Sequence, residues 1–334
     1  MFDFLTRLFR RDSHPHRIER PLEQRAAPKL GLALSSGGAR GLAHVGVLQV
    51  LEENHIEIHA IAGSSMGAYV GALWAAGFSG KDLEKLASEM QSRKKLWQLA
   101  DPIFPPLRGL FHGLKGKAHL EQSLGELRFE DLERQLLIIT TDIDTKERLV
   151  LRKGKLSDAV HASCAMPGII APVMLDGHRC VDGGVVDPVP VGALRKYSEV
   201  DHVIAVSVIP SFAEVDAGAC ARRRPIKPTF IHRTLSSLNG HMNLLAPGNA
   251  VDTFRQSIRA AQIRIAHDSV KRADLCLRPE HFFAAWHDYS NFERFIEAGR
   301  KVATEHLDEI KSLLEPSIIS YEIPGDNLVG DRVA

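Results

Sequence analysis

Residues 56–76 read IEIHAIAGSSMGAYVGALWAA, and the fold class turns on how that stretch divides. Ile56–Ala62 is a short run rich in β-branched and apolar residues, which predicts a strand. Met66–Ala76 predicts a helix. Between them Gly63-Ser64-Ser65-Met66-Gly67 matches G-x-S-x-G, with Ser65 at its centre. Strand, sharp turn and helix around that motif form the context of a nucleophile elbow. Such a turn forces the central serine into strained backbone geometry, and Gly63 and Gly67 remove side chains that would clash. The hydroxyl then sits near the positive end of the helix, where developing negative charge is favoured.

Working outward, short β-rich runs keep alternating with helical patterns. Lys29–Leu34 predicts a strand and Arg40–Asn54 a helix ahead of the elbow. Leu136–Asp142, Val200–Val208 and Ala273–Leu277 are further strand candidates, and Val251–Asp268 and Asn291–Leu314 are long helical patterns. This alternation predicts an α/β protein with a central, mostly parallel sheet. Val173–Val181 is a local exception, because Asp176-Gly177 supplies a hairpin turn between two short strands.

Two further glycine-rich stretches accompany the elbow. Ser36-Gly37-Gly38-Ala39-Arg40-Gly41 falls between a predicted strand and a predicted helix, where backbone N–H groups can converge on an anion. That suits a dinucleotide-phosphate loop or an oxyanion hole for acyl transfer. Ser36 breaks the dinucleotide fingerprint, and no acidic residue is clearly placed about 20 positions on. Beside an elbow, the oxyanion reading gains. The other stretch, Asp182-Gly183-Gly184, follows the hairpin and on its own reads as a plain turn. His202, His232, His241, His267, His281 and His287 follow Asp182 in the order a Ser-Asp-His triad requires, but none has a recognisable catalytic context. His44 and His161 lie near the motifs and are expected to pack.

Taken together, SGGARG, then GSSMG some 25 residues later, then DGG resemble the patatin-like phospholipase family, in its bacterial branch. The similarity is almost continuous over Gly31–Gly77 and Ser157–Pro190, and weaker to about residue 314. The resemblance implies a three-layer α/β/α fold and lipid acyl hydrolysis of phospholipase A or lysophospholipase type. It implies a Ser–Asp dyad, with Ser65 as nucleophile and Asp182 as base. Gly37, Gly38, Ala39, Arg40 and Gly41 fall in the oxyanion segment, Gly63 and Gly67 in the elbow, and Gly183 and Gly184 in the DGG motif. Ser36 stands where the family usually has glycine. If that position needs φ > 0, serine is disfavoured there by about 1–2 kcal/mol. An α/β-hydrolase esterase with a true triad, and a non-catalytic regulatory protein on a hydrolase scaffold, are the alternatives.

Composition bounds the rest. The 334 residues carry 42 Lys+Arg against 41 Asp+Glu, which gives no electrostatic footprint for a nucleic-acid partner. Cys164, Cys180, Cys220 and Cys276 form no C-x-x-C pair, so neither a zinc site nor a disulfide framework is expected. No metal or other cofactor is expected for catalysis. No apolar run approaches the roughly 18 residues of a membrane span. The expected organisation is an amphipathic segment over residues 1–11, a polar proline-containing linker over 12–29, a catalytic domain over 30–315 with its motifs in 31–195, and a tail over 316–334. On a helical wheel Phe2, Phe4, Leu5, Leu8 and Phe9 share one side, opposite Arg7 and Arg10, which suits peripheral contact with an anionic membrane surface. The expected location is the cytoplasm, with lipid as substrate. Leu96–Phe111, with Trp97, Ile103, Phe104, Leu107, Leu110 and Phe111, is either a core segment or an apolar rim over the site.

Overall fold

Side chains in a strand alternate between faces, and the sequence uses that alternation to build two cores. Strand β1 (Leu30–Leu34) sends Leu30, Leu32 and Leu34 into one core and Ala33 into the other. Strand β2 (Ala60–Ser64) places Ile61 with the leucines and Ala60 and Ala62 opposite. The computed structural model describes residues 27–92, 98–105, 108–216, 250–280, 284–285 and 287–315. Residues 1–11, most of the linker and the 316–334 tail lie outside them, as do Trp97 and Leu107.

After β1 a short 3-10 turn (Gly38–Leu42) leads into helix α1 (Ala43–Glu53). Helix α2 (Met66–Ala75) follows β2 directly, and α3 (Gly80–Glu89) opens on a Ser79 capping box. Next come α4 (Leu114–Leu124), β3 (Gln135–Asp142), β4 (Arg148–Leu151) and α5 (Leu156–Ser163). The hairpin β5 (Val173–Leu175) and β6 (His178–Asp182) turns at Asp176 and Gly177, whose φ values of 48° and 84° are those a tight two-residue turn requires. Helix α6 (Val191–Tyr197), β7 (His202–Val206), α7 (Ala250–Val270), β8 (Leu275–Leu277), α8 (Phe292–Glu305) and α9 (Leu307–Ser312) complete the described elements.

The strands form one sheet in the order β5-β6-β3-β2-β1-β7-β8, with β4 also paired to β3. The pairs β1–β2, β1–β7, β2–β3 and β7–β8 are parallel, and those involving β4, β5 and β6 are antiparallel. Helices cover both faces: α1, α2 and α8 pack on the leucine side, α6 and α7 on the alanine side. This is the α/β class with a central, mostly parallel sheet that the alternation predicts.

Several boundaries differ from expectation, three of them for a clear physical reason. The strand expected over Ile56–Ala62 is shifted to Ala60–Ser64. Ile56 and Ile58 are buried without being paired, while Gly63 and Ser64, poor strand formers, are held in the ladder by register opposite Ile138 and Ile139. The helix expected over Asn291–Leu314 breaks at His306, which ends α8 and begins α9 with its ring held to the Val302 carbonyl at 2.9 Å. The helix expected from Arg40 begins as the 3-10 turn, so the first N–H groups there lack helical acceptors.

The site is positioned by one close approach. A Cβ on Gly67 would lie 2.2 Å from the Leu34 carbonyl oxygen, so only glycine lets α2 start against the end of β1. The carboxyl ends of β1 and β2 thereby meet beside the point where the chain later returns as β7 on the other flank of β1. Ligands in open parallel sheets bind at such a switch point.

Candidate active site

Ser65 sits between β2 and α2 with φ 54° and ψ −120°, a conformation that L residues rarely adopt. The elbow reading requires such strain, and the surroundings fix it. The Ser65 N–H donates to Ser163 Oγ at 2.9 Å, and the Ser65 carbonyl accepts from Ala68 and Tyr69 at 2.9 and 3.0 Å. A Cβ on Gly63 would lie 2.4 Å from the Gly67 carbonyl oxygen, so the flanking glycines make the tight turn sterically possible.

Asp182 arrives from 117 residues away, and strand register accounts for its height. Ser64 lies opposite Ile139 on β3, and the next β3 residue, Thr140, lies opposite Asp182 on β6. Its backbone is held at both ends: its N–H donates to the Ala165 carbonyl at 2.9 Å, and its carbonyl accepts from Thr141 Oγ1 at 2.9 Å. Ser65 Oγ donates to Asp182 Oδ2 at 2.5 Å, and the Gly184 N–H donates to Oδ1 at 2.7 Å. The DGG glycines make room: a Cβ on Gly183 would fall 2.1 Å from the Ile139 carbonyl oxygen, and one on Gly184 2.7 Å from Ser36 Oγ.

The Asp182 carboxyl is 4% exposed, and burial pushes its pKa up to about 6, against the pull of its bonds to Ser65 and Gly184. A carboxylate held this way is a stronger base than an ordinary aspartate and is still ionised at neutral pH.

The glycine loop closes the other wall. Gly37 is extended, with φ 168°, and a Cβ there would lie 2.3 Å from a Val208 methyl; Gly38 takes φ 59°. Ser36 is not among the positive-φ residues, so the 1–2 kcal/mol cost considered for it does not arise. The left-handed position is Gly38. Arg40 is buried and donates from Nε to the Gly37 carbonyl at 3.3 Å. Burial, with help from Arg259 and Arg255 and against Glu214, lowers its pKa to about 9, so it stays charged at neutral pH.

Ser36, Gly37, Gly38, Arg40, Ser65 and Asp182 share one cleft. Ala39, Gly41 and the glycines of the other motifs do not line it. A Cβ on Gly41 would meet Met66 Cγ at 2.5 Å, so that glycine packs the turn onto α2. The rest of the lining comes from Met166 and Pro167, from Val185, from Ile209 and Pro210, and from α7. The α7 contribution has no signal in local sequence. Ser163 carried one faint signal, as part of the Ser157–Pro190 span over which the family resemblance is almost continuous.

No described histidine lines the cleft. His44 is fully buried, bonded to the Ser35 carbonyl at 2.8 Å, and burial lowers its pKa to about 4. His161 bonds the His112 carbonyl at 3.3 Å. His202 Nδ1 lies 3.7 Å from Asp274 Oδ1, and the His267 ring meets that of Phe212 at a tilt of 56°. His232, His241 and His281 lie outside the described residues. Ile103, Phe104, Leu110 and Phe111 do not line the cleft either; Leu110 and Phe111 bond the Ile169 carbonyl, and Phe104 is exposed. Among the described residues no cluster of three or more His, Cys, Asp or Glu could hold a metal ion, and no helix is long and apolar enough to cross a membrane.

Residues 32–195 match the family described as Patatin-like phospholipase. An uncharacterized NTE family protein of Mycobacterium tuberculosis is 33% identical over 230 residues, which make up 68% of this chain and 61% of that protein. The match thus spans about three-fifths of that relative's length. A Candida glabrata protein named lysophospholipase NTE1 is 29% identical over 320 residues, 90% of this chain and 17% of that one. Among solved structures, human GIVD cytosolic phospholipase A2 aligns at 11% identity with a TM-score of 0.42, covering 89% of this chain and 61% of that one. The matched span contains all three motifs, from the glycine loop through the serine elbow to DGG, and the chain belongs to the patatin-like phospholipase family.

Proposed function

We propose that the protein hydrolyses carboxylic esters of lipids through a Ser65–Asp182 dyad, as a phospholipase A or lysophospholipase. The observation that carries this is the 2.5 Å bond from Ser65 Oγ to a buried carboxylate inside an open cleft. Family membership and the lysophospholipase name of one relative support lipid esters as the substrate class. Ser65 Oγ attacks the ester carbonyl while Asp182 takes its proton. The oxyanion forms beside Gly37 and Gly38, which line the cleft at the start of the 3-10 turn, where N–H groups have no helical acceptor behind them. Asp182 returns the proton to the departing alkoxide, leaving an acyl-serine. Asp182 then deprotonates a water, which attacks the acyl carbon; the intermediate expels Ser65, whose Oγ takes that proton back from Asp182, and the carboxylic acid is released. Each step conserves protons between Asp182 and the substrate, and no histidine takes part.

The amphipathic stretch 1–11, outside the described residues, supports peripheral contact with an anionic membrane surface, with 12–29 as tether and 30–315 as catalytic domain. The test of the chemistry is labelling by an active-site-directed fluorophosphonate, followed by product analysis on phospholipid and lysophospholipid panels. The wild type is expected to label and to release fatty acid. Ser65→Ala should do neither, and Asp182→Asn should lose about 10³-fold or more in turnover. Labelling that survives Ser65→Ala and vanishes with Ser64→Ala would move the nucleophile. Full turnover in Asp182→Asn would end the dyad reading.

A further inference from the structure

Ser36 brings a hydroxyl into the glycine loop at a position whose backbone tolerates any side chain, since its φ is not positive. The residue is 5% exposed and lines the cleft. Its N–H is committed to the Pro188 carbonyl at 2.9 Å. Its side chain is not committed: Oγ makes no hydrogen bond among the described residues. A polar group this buried is costly to leave unsatisfied, so a water or a ligand is its natural partner.

The neighbours of that hydroxyl decide between the two. The point a Cβ on Gly184 would occupy is 2.7 Å from Ser36 Oγ and 2.9 Å from Asp182 Oδ1. Two oxygens that close to one point are no further apart than one bridging water spans, about 5.6 Å for two bonds of usual length. The carboxylate has acceptor capacity left for such a water. Oδ2 accepts from Ser65 and Oδ1 from the Gly184 N–H, and each carboxylate oxygen offers two sites. Ser36 Oγ thus stands beside the base, where a hydrolytic water must lose its proton, while the N–H groups of the following glycines serve the oxyanion. We infer that the Ser36 hydroxyl holds the hydrolytic water beside Asp182, so that Ser36 serves the deacylation half of the reaction. The inference rests on the hydrolase reading and adds a residue to it.

In the acyl-enzyme Ser65 no longer donates to Oδ2. The held water donates one hydrogen there and the other to Ser36 Oγ, which leaves its lone pairs free for the acyl carbon. As the water oxygen bonds to that carbon, the proton passes to Oδ2. The bond from the carbon to Ser65 Oγ then breaks, Ser65 takes the proton back from Oδ2, and the carboxylic acid departs. Without the Ser36 oxygen the base is intact, but the water is held by the carboxylate alone.

The test uses p-nitrophenyl butyrate, because nitrophenolate departs without a proton and only the second half of the reaction then needs the water. The full chain, Ser36→Ala and Ser36→Gly are mixed with excess ester and followed by stopped flow. In both variants the steady-state rate is expected to fall about ten-fold. The rate constant of the initial burst, and the rate of fluorophosphonate labelling, should change by less than about two-fold. The variants should carry a butyryl group on Ser65 by intact mass during turnover. Hydroxylamine, which attacks without first giving a proton to a base, should speed the variants more than the wild type. Equal losses in the burst and the steady state would make Ser36 structural. A steady state unchanged in both variants would leave its hydroxyl without a part in deacylation. Either result overturns the inference and leaves the hydrolase reading standing. A wild type that neither turns over the ester nor labels would instead remove the hydrolase reading, and the role of Ser36 with it.

Discussion

Ser65 and Asp182 carry opposed costs and uses. Burial raises Asp182 to about 6, above the ordinary aspartate value of 3.8, so the native state holds that proton more tightly than the unfolded chain does. The ionised carboxylate therefore costs stability, on the order of 3 kcal/mol, above its folded pKa. That cost fades as pH falls through the window from about 6 to about 4, where the native group takes up its proton. Asp182→Asn removes the charge yet can keep an acceptor for the Gly184 N–H and a partner for Ser65 Oγ. It is expected to be inactive but to melt on the order of 5–10 °C higher at pH 7.5, with the gain vanishing near pH 4. Scanning calorimetry across that range checks both signs; a variant less stable at pH 7.5 would contradict the burial cost. In the proposed dyad the Asp182 carboxylate takes the serine proton, so wild-type kcat/KM should rise along a single limb with its midpoint near pH 6. A flat profile from pH 4.5 to 8 would remove Asp182 as base. The serine, its motif and the glycines around it were readable in the sequence because a nucleophile elbow is local geometry. The partnership with Asp182 was not readable from residues alone: Asp-Gly is ordinary turn chemistry, and only resemblance singled it out.

Among the elements, the crossing of α1 and α8 holds the glycine loop in place. A Cβ on Gly46 would fall 1.9 Å from the Ile296 carbonyl oxygen, and one on Gly299 1.9 Å from the Ala43 carbonyl oxygen, so the two backbones touch at reciprocal glycines. Arg300, next to Gly299, clamps Glu53 through two 2.9 Å bonds and reaches Gln49 at 3.1 Å. Helix α1 begins immediately after the turn that follows Gly37, so displacing α8 would displace that turn. Gly299→Ala is expected to cost about 3 kcal/mol or more, because backbone rather than a flexible side chain meets the new methyl. Arg300→Ala should cost less than about 1 kcal/mol, since its partner Glu53 is exposed. Urea unfolding of both variants tests the ranking, and the reverse order would show that the ion pair, not the close approach, holds the crossing. Elements with long apolar periodicity, such as α1 and α2, were legible in the sequence. Helices α3 and α4 were not, because they bury little beyond Leu83 and Ala87 and beyond Leu120 and Leu124 and so carry a weak apolar signal, and neither were the short α5 and α6, of eight and seven residues. Strand β2 was misplaced by four residues at its start: Ile56 and Ile58 look like strand yet are buried as an approach to it, and register on β3 overrides the weak propensity of Gly63 and Ser64.

At the scale of the whole molecule, the sequence shows the alternation that makes the sheet but not which distant pieces share the cleft. Arg255 and Arg259 lie some 190 residues beyond Ser65, in a helix whose pattern reads as generic, and only the packing of α7 over the strand ends brings them there. The converse holds for the amino-terminal stretch, where sequence is all there is. Residues Pro28–Glu315 cluster as one compact unit containing every residue of the cleft. A chain starting at Pro28 is therefore expected to keep fluorophosphonate labelling and full turnover of monomeric esters. Residues 1–11 combine Phe2, Phe4, Leu5, Leu8 and Phe9 with Arg7, Arg10 and Arg11. Each arginine near an anionic leaflet adds about 1 kcal/mol, and the apolar side adds burial among acyl chains. So short a helix is marginal in water and is expected to form on the lipid surface. Co-sedimentation should then show the full chain binding anionic vesicles about ten-fold or more tightly than the shortened chain, with the gap narrowing as salt rises. On neutral vesicles the gap should be smaller, because only the apolar contribution is left. Equal binding by both chains would discard the anchor. A shortened chain that binds vesicles unchanged but melts earlier would mean that the aromatic stretch docks on the protein's own surface instead.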